Sequence, residues 1–161
     1  MSEKVAKLRE LAEMEERYAV GYDDDVAGLG NVAVAGLMMG VALDSRKHAG
    51  LYRAIAAILE GPLGITDVEY DRLEAALKRH VEVEAGMLED ARALLEGVED
   101  DRARRLLEEI VADEVRHHAF LSGLLEAVLA RDMIFEQDVW DMIWRDVPTH
   151  GAPRDPYEPG E

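Results

Sequence analysis

Glu114 and His117 stand three residues apart in DEVRHH, residues 113–118, inside an otherwise apolar helical pattern. Residues three apart share a helix face, so this carboxylate and this imidazole can reach one cation together. A carboxylate from each neighbouring helix would complete the shell, and Glu15, His48 and Glu84 lie on the apolar stripes of three other helical stretches. Several carboxylates on inward stripes repel each other, and each carries a heavy desolvation cost without a partner. A divalent or trivalent ion removes both problems. Histidine with carboxylate and no thiolate suits iron, manganese or zinc.

The elements that must position these side chains follow from apolar spacing and from breakers. A first helix is expected over 3–26, its stripe running through Val5, Ala12, Glu15, Ala19 and Tyr22. AGLGN (27–31) ends it, because glycine closes helices at little cost. A second helix spans 32–60, with Leu37, Val41, His48, Leu51, Ile55 and Leu59 inward, and GPLG stops it at 61–64. Thr66 or Asp67 caps a third helix over 67–97, with Glu69 as a capping-box partner. Its stripe holds Leu73, Leu77, His80, Glu84, Met87, Ala91 and Leu94. The fourth helix, 100–131, carries Leu107, Ile110, Glu114, His117, Leu121, Leu124 and Val128.

The chain also repeats itself. Shifted by 69 residues, Glu15 falls on Glu84, Gly28 on Gly97, Asp44 on Asp113 and His48 on His117. DSRKH lies over DEVRH, with Lys47 over Arg116 and Ser45 over Glu114. Two helical hairpins related by a pseudo-twofold axis are therefore expected, with Glu15, His48, Glu84 and His117 converging at the centre. The fold class is all-α: a four-helix bundle over 1–131, followed by a C-terminal extension over 132–161.

Glu15 with Tyr22 two turns on, Glu84, and the Glu114–His117 pair resemble the ferritin-like, rubrerythrin-type di-iron carboxylate proteins over roughly residues 3–130. The resemblance implies Glu15 and Glu84 as terminal ligands, Glu114 as a bridging carboxylate, and His48 and His117 as nitrogen ligands. It also implies ferroxidase or peroxidase activity at iron. The sequence departs from that pattern in two places. Ser45 stands where the second helix should carry a Glu, and Met87 where the third carries a further carboxylate. Asp44 lies about 100° around the helix from Ser45 and replaces it poorly. An asymmetric two-metal site, a single metal and a lost site all stay open. Tyr22 and His80 are candidates for orienting the ligands, and His118, four residues from Glu114, is an alternative to His117.

Composition narrows the partners. The net charge of −17 argues against nucleic acid and against anionic membranes. The absence of cysteine excludes disulfides, zinc–thiolate sites and iron–sulfur clusters. The start, MSEKVAKLRE, lacks the apolar core of a signal peptide, and VAVAGLMMGVAL (32–43) is too short for a membrane span, so the reading is cytoplasmic. In the extension, 135–147 is expected as a short amphipathic helix with Val139, Trp140, Ile143 and Trp144 on its apolar side, and 148–161 as extended chain. That helix is a candidate homodimer contact. The alternative function is a metal-free dimeric helical scaffold acting through its tryptophans.

Overall fold

Each long helix begins at a side chain that satisfies its first free N–H groups. Ser2 accepts from the Val5 N–H, and Asn31 accepts from those of Ala33 and Val34. Thr66 and Glu69 form the expected reciprocal capping box. Asp100 accepts from the N–H groups of Arg102 and Ala103. In this computed structural model, which describes residues 2–61, 64–131 and 137–148, the helices are α1 (Glu3–Val26), α2 (Val32–Glu60), α3 (Asp67–Gly97), α4 (Asp101–Ala130) and α5 (Gln137–Trp144). No strand occurs among the described residues. The architecture is all-α, and its four long helices fall within one residue of the bounds expected from spacing. No helix among the described residues is long and apolar enough to cross a membrane.

The chain divides into two compact units, Met1–Gly64 and Ile65–Glu161. In the first, α1 and α2 pack as an antiparallel hairpin. Gly28, at φ 85°, takes the left-handed conformation that turns the chain out of α1. Val5, Ala12 and Ala19 on α1 are buried, as are Ala42, Ser45, Ala49 and Ala56 on α2. Such small side chains let two helix backbones approach closely. Ion pairs flank the seam: Arg9 to Glu60 at 2.7 Å, Glu16 to Arg53 at 3.1 Å, and Asp23 to Arg46.

The stripe expected to face inward on α2 is displaced. Leu37, Val41, Leu51, Ile55 and Leu59 are all exposed, and the alanine row beside them takes the seam. A two-helix hairpin buries one narrow strip per helix. The row that lets the axes come closest occupies it, leaving the larger side chains to its flank.

In the second unit α3 and α4 also pair, and α5 folds onto α4. The core comprises Tyr70, Leu77, Ala127, Val128 and Ile143, with Leu73, Phe120, Leu124, Val139 and Met142 against it. Burying Ile143 contributes about 2 kcal/mol to docking α5. Gly123 permits that docking, because a Cβ there would lie 2.8 Å from the Ile143 carbonyl oxygen. The helix expected over 135–147 is thus realised as α5, with Val139 and Ile143 inward. Trp140 and Trp144 remain partly exposed, Trp144 stacking at a tilt on Phe120 with ring centroids 5.0 Å apart. The extended segment expected beyond Pro148 lies outside the described residues.

Arg131 closes α4 in the left-handed region, at φ 53°. Its guanidinium reaches back to α3, pairing with Asp67 at 3.2 Å and Asp71 at 2.7 Å and lying over the Tyr70 ring. These contacts tie the end of α4 to the start of α3.

Candidate metal centre

The heptad rows that build the second hairpin also carry its acids inward. Glu84 continues the row of Tyr70, Leu77 and Ala91 at seven-residue steps, so its side chain turns towards α4. Glu114 lies seven residues before Leu121 and fourteen before Val128, and is buried at 8% exposure. His117, one turn further along α4, sits at the open edge with 57% of its side chain exposed.

One ligand atom from each of Glu84, Glu114 and His117 lies within 4.8 Å of the other two. His117 Nδ1 is 3.7 Å from Glu84 Oε2 and 3.8 Å from Glu114 Oε2. These separations are too long for hydrogen bonds. They are close to those between ligands of one first-row cation, which at bond lengths near 2 Å stand roughly 3 to 4 Å apart.

The electrostatics of the cluster are unresolved by the chain itself. Glu84 Oε2 and Glu114 Oε2 are both buried and have no hydrogen-bond partner when both groups are ionised. A proton held between the two carboxyls relieves this. Hydrogen bonding to Glu84, burial and the repulsion of the Glu84 charge together push Glu114 up to about 7. Glu114 therefore holds its proton well above the usual carboxylate range, and a cation would compete with that proton for the same oxygens.

Of the other residues expected at the site, Glu15, Ser45 and His48 lie in the first unit. In the first hairpin, His48 Nδ1 lies 3.5 Å from Glu15 Oε1, with both side chains partly exposed. Ser45 is buried beside them on α2, at 8% exposure. Asp44 pairs with Lys47 at 2.5 Å. Asp113 pairs with Arg116 in the same way on α4. Tyr22 is half-buried on α1, while His80 and Met87 are exposed. His118 lines a different surface, a groove shared with Ala85, Leu88, Glu89 and Arg92.

Sequence reasoning missed the raised pKa of Glu114 beside Glu84, and the two ion pairs made by Asp44 and Asp113. The pairs had a signal, since opposite charges three apart on a helix meet and both pairs recur at the repeat distance. Comparison of the chain with protein-family models, with curated proteins and with solved structures gives no match, so the reading of this centre rests on its own geometry.

Proposed function

We propose that the chain binds a transition-metal ion through Glu84, Glu114 and His117, three of the five ligands that the ferritin-like, rubrerythrin-type resemblance implies. Iron is the first choice, with manganese and zinc as alternatives. The observation that carries this reading is the pair of buried, unpartnered carboxylate oxygens facing an imidazole within 4.8 Å. Such a pair is costly to leave unneutralised, and the donor set, two oxygens and one nitrogen, is one that these metals accept. Bound iron would supply one-electron chemistry with dioxygen or peroxide, of the ferroxidase or peroxidase kind. The chain's own part is to hold the two carboxylates rigidly on facing heptad rows, to release the proton they share, and to leave His117 accessible at the edge.

A second copy of the chain is part of this reading. Three side chains leave a first-row ion short of ligands. The exposed row flanking the cluster, including Val83, Met87, Leu94, Leu106 and Ile110, is apolar surface of the kind that marks a contact. A homodimer covering this row would close the open side of the ion.

The test is elemental analysis by mass spectrometry on protein purified without affinity metal, before and after reconstitution with Fe(II) under argon. The expected result is at least one iron per chain, lost in Glu84→Ala and Glu114→Ala. No bound metal in either state sinks the proposal and leaves the metal-free scaffold.

A further inference from the structure

Helix α2 carries two rows of residues at coiled-coil spacing. The first faces α1, with Ala42, Ser45, Ala49 and Ala56 buried in the seam. The second lies one residue earlier at each step, about 100° around the helix. It alternates steps of three and four, the spacing of core positions in a coiled coil. It runs through Val34, Leu37 and Val41, and then through Leu51, Ile55 and Ile58. All six are between 42% and 58% exposed. The two row positions between these apolar triplets are polar, Asp44 and His48. On the other side of the seam, Arg46 and Arg53 pair across to α1. The hairpin thus has one ionic flank and one apolar flank. The apolar row is also its own complement. Val34 and Ile58, Leu37 and Ile55, Val41 and Leu51, and Asp44 and His48 each stand equally far before and after residue 46.

We infer that α2 pairs antiparallel with α2 of a second copy through this row, about a twofold axis at the level of Arg46. The contact is isologous, each residue meeting its counterpart twice. Every apolar side chain of the row then meets an apolar one, and Asp44 of each copy meets His48 of the other. His48 Nδ1 faces Glu15 at 3.5 Å within its own hairpin, which leaves Nε2 for the opposite carboxylate. A polar pair at the centre of an apolar seam fixes the register, as a polar core position does in a coiled coil. Charge favours this occupant. The first unit, Met1–Gly64, holds seven basic and ten acidic residues, so −14 of the net charge of −17 belongs to the second. Like-charge repulsion is therefore least where the first unit meets its own copy. Six half-exposed side chains from each partner cover on the order of 1,000 Å² in all, the lower limit of a specific interface, so the dimer should be reversible. The contact lies on a different unit from the one proposed beside Glu84 and Glu114 and needs no metal.

The chain has no cysteine, so position-specific cross-linking reads the contact directly. Full-length Leu37→Cys and Ile55→Cys proteins are prepared in chelator and mixed under mild oxidation. The mixture is expected to give a disulfide-linked heterodimer, and neither protein alone to link efficiently. Linking of Leu37→Cys to itself would mean a parallel contact and overturn the inference. A mixture that stays unlinked also overturns it, and points to another occupant of the row, the chain's own second unit or a different protein. Charge exchange gives a second readout by sedimentation. Val41→Lys and Leu51→Glu, both at exposed positions, should each weaken the dimer about tenfold or more, with helix content by circular dichroism unchanged. The double variant sets Lys opposite Glu across the twofold axis and should recover part of that loss. A double variant no tighter than either single one sinks the antiparallel register.

Discussion

Glu114, buried beside Glu84, gives the candidate centre its own pH dependence. Hydrogen bonding to Glu84, burial and the Glu84 charge push its carboxyl up from the usual 4.5 to about 7 in the fold. A raised carboxyl pKa means that the folded chain holds a proton the unfolded chain has released. Metal-free protein should therefore lose stability as pH rises from about 4.5 to 7, by up to about 3 kcal/mol, and level off above. Urea unfolding at pH 5 and pH 8 checks this. Glu114→Gln should flatten the profile while abolishing metal uptake, because a neutral amide keeps the hydrogen bond and loses the charge. The metal should behave in the opposite sense, binding more tightly as pH passes 7 and releasing about one proton as it binds. The residues themselves were legible in the sequence, since a three-residue spacing and a 69-residue repeat single out Glu84, Glu114 and His117. The raised pKa of Glu114 was not, because it depends on how close two side chains on different helices come. Symmetry leads to an expected meeting of Glu15, His48, Glu84 and His117; the contacts described within the hairpins are those of Glu84, Glu114 and His117 in one and of Glu15 with His48 in the other.

Helix ends were the most legible part of the fold, because caps and breakers are written locally: Asn31, the Thr66–Glu69 box, Asp100 and GPLG each act within a few residues. The buried face of α2 was not legible. Leucine and isoleucine outrank alanine in any reading of hydrophobic pattern, yet close approach of two helices rewards the smaller row of Ala42, Ala49 and Ala56. The close approach of α5 to α4 was equally hidden, since it turns on the missing side chain of Gly123. Alanine there would gain up to about 1 kcal/mol in helix propensity, but its Cβ would meet the Ile143 carbonyl at 2.8 Å. Gly123→Ala should therefore undock α5 at a net cost of about 1–3 kcal/mol. Both tryptophans of the chain, Trp140 and Trp144, lie on α5, so undocking should appear as a red shift of their fluorescence while far-ultraviolet circular dichroism changes little.

At the scale of the whole molecule, apolar surface and charge oppose each other. Large side chains are exposed along both hairpins, from Leu37 and Leu51 in the first to Met87 and Ile110 in the second. They favour the homodimer proposed above. The net charge of −17 works against bringing two copies together, and this repulsion is screened by salt over about 10 Å at 0.1 M. Self-association should therefore strengthen with ionic strength, the reverse of an interface held by ion pairs. Sedimentation equilibrium at about 0.02 M and about 0.5 M salt checks the direction. Metal should strengthen association further at either salt concentration if the second copy completes the ion's shell, and chelation should reverse that gain.

The three ion pairs along the first hairpin have a consequence for alignment. An alanine row that recurs every seven residues cannot by itself distinguish one heptad setting from the next. The charges can, because the Arg9–Glu60 rung runs in the opposite sense to Glu16–Arg53 and Asp23–Arg46. Sliding α2 by one heptad in one direction sets Arg9 against Arg53. Sliding it in the other sets Glu16 against Glu60. Either slip brings like charges together, and either would carry His48 away from Glu15. Pairs that each contribute little to stability at an exposed surface thus act together to favour the one setting that satisfies all three, in which a carboxylate and an imidazole meet.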